Sequence, residues 1–170
     1  MPGARRAGLA AIALAPLLLL GAVAARSQSP APGRLPTVSA SIGGEYFELE
    51  VASDPAAQMR GLGGRAVIDP HGGMLFVFPQ TRPLAFVMRD CPIPIDVAFL
   101  DAQGRVINVH AMQPEAPRAP GESALDYEAR LHPYPSALPA HFALEVAGGR
   151  LAELGVRSGD VIQLGSLAAP

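Results

Sequence analysis

Hydrophobic and polar residues alternate along most of this chain, a period that is typical of β-strands with one buried face. In residues 45–51, Phe47, Leu49 and Val51 share one face, while Glu48 and Glu50 take the other. Residues 38–42 show the same alternation, and Gly43 and Gly44 separate the two segments. Two short alternating runs around a glycine pair are typical of a hairpin, so we predict one here.

Turn and cap residues add further elements to this pattern. Residues 95–101 and 105–111 predict a second hairpin around the turn that contains Gly104. Asp54 and Pro55 are suited to the N-cap and the first position of a short helix. Further strands are predicted at residues 73–78, 84–88, 142–147 and 156–164, and a second short helix at residues 148–154. We therefore predict a mainly β fold, a single compact β-sandwich or small barrel-like domain with two short helices and a long Pro-rich loop.

The apolar faces of these strands are expected to meet in one core. Each apolar face is defined by alternation within its own strand, because successive side chains point to opposite faces. The expected core contains Phe76, Phe78, Val97, Phe99, Leu144 and Val146.

Residues 112–140 form the Pro-rich loop and interrupt the alternation. Six prolines exclude a central strand there, although residues 121–131 have room for one or two helical turns. A connection of about thirty residues is long for a compact domain. The segment is either a solvated insertion or a flap over a cleft, and both interpretations stay open at this point.

Residues 1–24 have the features of a signal peptide. Arg5 and Arg6 precede an apolar run, and the run ends at Ala22-Val23-Ala24, which fits the small-x-small pattern of a cleavage site. The run is shorter than the roughly 20 residues of a stable span, so we expect no stable membrane span after cleavage. An uncleaved anchor is the alternative. We expect export to the periplasm or the extracellular space.

The composition of the chain after the predicted signal peptide limits the partners and cross-links that we expect. Residues 25–36, rich in Ser, Pro and Gly, predict a flexible linker, and residues 37–166 are the right length for one domain. All thirteen basic residues are arginines, and the formal net charge is −2. No basic run is present, so nucleic acid is not an expected partner. Cys91 is the only cysteine, so we expect no internal disulfide.

Several short motifs follow one another in a characteristic order. They are Arg60-Gly61-Leu62, GMLFVF (73–78), FVMRD (86–90), PIPIDVAFLD (92–101), Tyr134-x-Ser136, LEVAGG (144–149) and GVRSGD (155–160). In this order they resemble the DUF192 (UPF0127) family of uncharacterised, often exported proteins. The resemblance implies a compact, mainly β domain and no established activity. The chain departs from the family pattern at Val87, where an aromatic residue is usual, and at Asp90, where an amide is usual.

Asp96 is the first candidate for a functional role. By alternation it shares a strand face with Ala98 and Leu100, so the carboxylate lies on an apolar face. A buried charge must be paired. Arg60, Arg65 or Arg89 could each supply a bidentate partner, as a structural ion pair or as part of a binding site.

Glu145 repeats this arrangement on another strand, where it alternates with Leu144 and Val146. The simplest interpretation is a residue on a solvated strand face. If its face meets that of Asp96, the two carboxylates would line one cleft with the arginines. The candidate ligand-binding residues are Arg60, Arg65, Arg89, Asp96 and Glu145.

Other chemistry has little support in the sequence. The four histidines show no metal-ligand spacing, Cys91 has no CxxC partner, and neither a GxSxG motif nor a phosphate-binding glycine loop occurs. We therefore expect no metal and no cofactor, and catalytic residues stay undefined. Two functions remain open: an envelope accessory module that binds a small polar ligand or peptide, and a hydrolase with Asp96 and Glu145 as its acid/base pair.

Overall fold

The computed structural model describes residues 34–167. The predicted signal peptide and most of the predicted linker lie outside the described residues, so the division at residues 24 and 36 stays a prediction. The described strands are β1 Thr37–Ile42, β2 Glu45–Ala52, β3 Gly72–Arg82, β4 Ala85–Phe86, β5 Ile95–Leu100, β6 Val106–Met112, β7 Tyr134–Pro135, β8 Ala140–Ala147 and β9 Gln163–Leu164. The described helices are α1 Pro55–Arg60, α2 Ala124–Arg130 and α3 Arg150–Glu153.

Seven of these strands form one curled sheet in the order β6-β5-β8-β3-β2-β1-β9. Only the β2–β3 pair is parallel among the described strands, and β4 pairs with β7 separately. The C-terminal segment joins both ends of the sheet. It pairs with β1 through β9, while Ile162 N–H donates to the Gly104 carbonyl (2.9 Å) and Val106 N–H to the Asp160 carbonyl (2.8 Å). The result is a half-barrel, which confirms the predicted mainly β fold; the described residues contain three short helices rather than two.

Both faces of this sheet are covered, and each carries its own apolar cluster. All six residues of β5 are buried, so neither face of this central strand meets water. Phe76, Phe78, Val97 and Phe99 lie in one cluster as expected, but Leu144 and Val146 lie in the other. The expectation of one shared core is therefore wrong for β8.

The reason is the register between β5 and β8. Val97 pairs with Glu145 and Ala98 with Leu144, and residues paired across a sheet point to the same face. The apolar phase of β8 thus belongs to the face of Ala98 rather than that of Val97. Alternation within a strand defines its two faces, but only pairing decides which face of one strand joins which face of the next.

The helix predicted after Asp54 begins as expected. Oδ1 of Asp54 accepts hydrogen bonds from the N–H groups of Ala56 (3.0 Å) and Ala57 (2.9 Å), and Pro55 takes the first helical position. The helix ends at Gly61, whose φ of 52° is accessible chiefly to glycine. None of the helices in residues 34–167 has the length and hydropathy needed to cross a membrane.

Candidate functional site

A cavity of about 330 Å³ lies between the end of α1 and the segment that contains β4. Phe76, Phe78 and Phe86 contribute aromatic rings to its wall, and the Phe76 and Phe86 rings meet edge to face at 4.8 Å. The remaining lining residues are Pro55, Gln58, Met59, Arg60, Gly61, Leu62, Gly63, Arg82, Leu84, Ala85, Val87, Arg89, Cys91 and Glu145. An apolar wall with a few polar groups is typical of small-molecule sites.

Glu145 is the buried polar group of this cavity. It lies on β8 between Met74 and Val97 of the neighbouring strands, and only 5 % of the residue is exposed. The interpretation of Glu145 as a solvated residue is therefore wrong, because the sheet is covered on both faces. Its Oε2 atom is buried and has no hydrogen-bond partner among the described residues.

The surroundings of Glu145 disfavour its charged form. Burial raises the pKa of this carboxyl to about 8, while the Leu62 N–H and the more distant Arg65 act in the opposite direction. A carboxyl with such a pKa keeps its proton at neutral pH. It can then donate one hydrogen bond and accept others, which a solvated glutamate does not do at that pH.

Arginines surround the opening of the same cavity. Arg60, the last residue of α1, is exposed and makes no ion pair among the described residues. The Arg82 guanidinium lies 5.0 Å from the centre of the Phe78 ring. Arg89 forms a bidentate ion pair with Glu128 of α2. Guanidinium groups at a cavity mouth can bind a carboxylate or phosphate.

Arg65 has a different position from the one we expected. It lies outside the lining of the cavity and forms a bidentate pair with Glu50, with N–O distances of 2.7 and 2.8 Å. This pair lowers the pKa of Glu50 and raises that of Arg65. Arg65 therefore acts on Glu145 only through its electric field.

Asp96 lies on the opposite face of the sheet from Glu145. Its cross-strand partner is Val146, the residue after Glu145, and successive residues of a strand point to opposite faces. Its Oδ2 accepts a hydrogen bond from the Leu151 N–H (2.9 Å) in the first turn of α3, and no described arginine forms an ion pair with it. The expectation of one cluster with Asp96 is wrong, and so is the Asp96–Glu145 acid/base pair, because the two side chains point away from each other.

The Pro-rich segment lies beside the cavity. The Tyr127 hydroxyl of α2 donates to Oδ1 of Asp90 (3.2 Å) and accepts from the Asp90 N–H (3.0 Å). One residue on, Glu128 holds Arg89. These contacts attach α2 to Arg89 and Asp90 beside the cavity. This part of the segment therefore packs against the domain and is not a purely solvated insertion.

Two lining residues were not among the candidates predicted from the sequence. Arg82 follows the apolar part of β3 after Pro79, and no motif marks it. Cys91 is the second, and burial followed by the charge of Glu145 raises the pKa of its thiol to about 11. Such a thiol is a poor nucleophile at neutral pH.

The described residues contain no group of three or more His, Cys, Asp or Glu side chains placed to hold a metal ion.

A larger groove of about 650 Å³ lies over the outer face of β1 and β2, but its polar side chains bind one another. Arg65 is paired with Glu50, and the Thr37 hydroxyl donates to Oε1 of Glu48 (2.6 Å). We therefore place the candidate site at the cavity of Glu145.

These features define a class: a half-barrel β domain with a small cavity that holds a buried carboxyl and opens between arginines. The chain belongs to the DUF192 family, described as "Uncharacterized ACR", whose model matches residues 38–164. None of the curated proteins matches this chain.

Two solved structures are similar to the chain. One is a protein of unknown function from Novosphingobium aromaticivorans, with 29% identity and a TM-score of 0.61, covering 83% of this chain and 94% of that one. The other is a Sinorhizobium meliloti 1021 protein provisionally described as a transcription regulator, with 27% identity and a TM-score of 0.60, covering 75% of this chain and 92% of that one.

Proposed function

We propose that this protein is an exported binding module that holds a small polar ligand or short peptide in the cavity of Glu145. The observation that carries the proposal is the Oε2 atom of Glu145, which is buried without a hydrogen-bond partner among residues 34–167 and belongs to a side chain that lines the cavity. Buried polar groups in folded proteins are nearly always hydrogen-bonded. A group that breaks this rule inside a cavity is best explained by a ligand that completes it.

The mouth of the cavity supports binding of an anionic group. Arg60 has no ion-pair partner among the described residues, and Arg82 is held only by its contact with the Phe78 ring. A carboxylate that enters between them would receive charge-assisted hydrogen bonds. The volume of about 330 Å³ is at the lower end of small-molecule sites, so the ligand is small.

Binding is a better explanation than catalysis. Asp96 lies on the other face of the sheet, and the raised pKa of Cys91 keeps its thiol protonated at neutral pH. Among the described residues that line the cavity, Glu145 is therefore the one with a pKa close enough to neutral pH for it to act as an acid or a base. A hydrolase would need a second group to activate water or to accept the acyl or glycosyl unit.

The proposed partner is not nucleic acid, and the proposed location is the cell envelope. The formal net charge is −2, and three of the described arginines are already paired with glutamates near the cavity or in α2 (Arg65, Arg89 and Arg130). Such a surface lacks the basic patch that nucleic-acid binding requires.

Export rests on the pattern of residues 1–24 and is tested by the mass of the protein recovered from its native envelope.

A thermal-shift screen tests the binding proposal. A panel of small carboxylates, amino acids and dipeptides is added to the purified protein and to an Arg60→Ala variant, with Arg157→Ala as the matched control because Arg157 does not line the cavity. A ligand at 100 times its Kd stabilises the folded state by about 2.7 kcal/mol. We expect a rise in Tm for the wild type and for Arg157→Ala and a smaller rise for Arg60→Ala. No rise with any compound, or equal rises in all three proteins, would contradict the proposal.

A further inference from the structure

The carboxyl of Glu145 forms no ion pair with any of the residues that the structure describes. The two half-buried arginines nearby are committed elsewhere: Arg65 binds Glu50 through both its terminal nitrogens, and Arg89 binds Glu128 and the Met59 carbonyl (3.2 Å). The other arginines of the cavity, Arg60 and Arg82, are exposed at its mouth. A charged carboxylate at this depth requires a cation, and the described residues do not supply one.

Gly61 leaves space beside this carboxyl. A Cβ atom at position 61 would lie 3.7 Å from Oε2 of Glu145 and 3.5 Å from Cζ of Phe76, which is ordinary van der Waals contact. The glycine therefore leaves the volume of a methyl group unfilled beside the unpartnered oxygen. The glycine is also required by its backbone, because its φ of 52° with ψ of −139° is unfavourable for other residues. The same residue thus ends α1 and leaves this space unfilled next to the buried Oε2.

We infer that the ligand carries a primary amine, which enters the cavity past Gly61 and pairs with Oε2 of Glu145, while an acidic group of the same ligand stays between the arginines at the mouth. This inference rests on the proposed function and names its ligand class: an amphoteric compound such as an amino acid or a short peptide. The aromatic rings of Phe76 and Phe86 contact the apolar part of the ligand between the two charges.

Proton release accompanies this pairing. Free Glu145, with its pKa raised to about 8, holds a proton at neutral pH, and the incoming ammonium group favours the ionised form. The proton leaves to solvent, so the complex contains one ammonium–carboxylate pair. The titratable and charged groups that face Glu145 or border the cavity are Arg60, Arg65, Arg82, Arg89 and Cys91. The thiol, with its pKa raised to about 11, stays protonated at neutral pH, so Glu145 is the group that releases the proton.

NMR with three matched probes tests the inference. The probes are phenylalanine, 3-phenylpropanoate, which lacks the amine, and phenethylamine, which lacks the carboxylate. The carboxyl carbon signal of Glu145 is followed against pH in the labelled protein and assigned with Glu145→Gln. We expect phenylalanine and phenethylamine to lower the midpoint of Glu145 by at least about one pH unit, because an adjacent cation favours the ionised carboxylate. We expect 3-phenylpropanoate not to lower it.

The guanidinium signals of Arg60 and Arg82 are measured in the same samples and separate the two proposals. If both carboxylate probes shift these signals but neither amine lowers the Glu145 midpoint, the amine inference is overturned and the proposed function stands. If no probe changes either set of signals, both are overturned.

Affinity measurements on variants add an independent result. Glu145→Gln keeps the shape of the side chain and removes its charge, and we expect at least about a tenfold loss in phenethylamine affinity, since a charged partner is replaced by a neutral one. The affinity for 3-phenylpropanoate is expected to change much less. Glu48→Gln, at an exposed position of β2, is the matched control. Equal amine affinity in Glu145→Gln and in the control would overturn the inference.

Discussion

Asp96 on β5 and Glu145 on β8 are two buried carboxylates on neighbouring strands, one position out of register with each other. Asp96 is 2 % exposed and Glu145 is 5 % exposed, so burial does not distinguish them. Their surroundings do. Oδ2 of Asp96 accepts the Leu151 N–H and holds α3 against the sheet, while its Oδ1, like Oε2 of Glu145, is buried without a hydrogen-bond partner among the described residues. Glu145 lines the cavity between α1 and β4, and Asp96 does not.

The difference follows from the face of the sheet that each residue occupies. Asp96 points toward α3, whose short first turn offers a backbone donor within reach. Glu145 points toward the loop after α1, where Gly61 leaves space in front of it. We therefore interpret the carboxyl of Asp96 as structural and propose that of Glu145 as the ligand-binding one. Burial and an unsatisfied oxygen make each carboxyl a candidate, and the cavity beside Glu145 is what distinguishes the two.

The largest effect expected from this comparison is the pH dependence that Glu145 imposes on stability. Its pKa is about 8 in the folded protein and near the ordinary 4.5 in the unfolded chain. Between these two values the unfolded chain loses a proton that the folded protein keeps, so the free energy of unfolding falls as the pH rises. This loss is absent below about pH 4.5 and complete above about pH 8. Its size is on the order of 5 kcal/mol for a shift of this extent.

Urea unfolding of the wild type and Glu145→Gln at pH values from 4 to 9 measures this loss. We expect the variant to gain stability relative to the wild type as the pH rises through this window, with the difference constant above it. Glu48→Gln, at an exposed site, is the control and should follow the wild-type curve. Parallel curves for the wild type and Glu145→Gln would mean that Glu145 titrates normally and that its site is wetter than the structure implies.

A smaller effect is expected on the other face of the sheet. Asp96→Ala removes the acceptor of the Leu151 N–H, and Leu151 is fully buried. Leaving a buried donor unpaired costs about 1–3 kcal/mol. Asp96→Asn keeps a carbonyl oxygen in the same place, so its cost should be below about 1 kcal/mol. Unfolding free energies at pH 7 check both values, and equal losses for the two variants would show that the hydrogen bond to α3 is not what Asp96 contributes.

Much of the fold could be predicted from local patterns. The hairpin at Gly43 and Gly44 and the helix start at Asp54 depend on residues that are close in the chain, so alternation and cap chemistry were sufficient. The pairing of β5 with β8 joins residues about fifty positions apart. No local pattern encodes that register, and it alone decides that Leu144 lies with Ala98 and that Glu145 lies with Val97.

The candidate site shows the same division. Arg60, Arg89 and Glu145, which the sequence motifs marked, do line one cavity in the structure. Asp96 was grouped with them because it lies on an apolar strand, and Arg65 because it could pair with Asp96. The choice of face gives Asp96 another partner, and the nearby Glu50 binds Arg65. Arg82 was missed because its only distinctive feature is a tertiary contact, its position over the Phe78 ring.

The smallest effect expected from the comparison is on the reactivity of Cys91, which lines the cavity with Glu145. Burial is the main cause of the raised pKa of this thiol, and the negative charge of Glu145 is the second. Glu145→Gln removes that charge, so at pH 9 the thiolate fraction and the rate of alkylation by iodoacetamide should rise a few-fold. Asp96→Asn alters a charge on the opposite face and should leave the rate unchanged. Equal acceleration by both substitutions would mean that the sheet does not separate the two carboxylates, and no acceleration by either would mean that Glu145 is uncharged even at pH 9 or is too far from Cys91 to act on it.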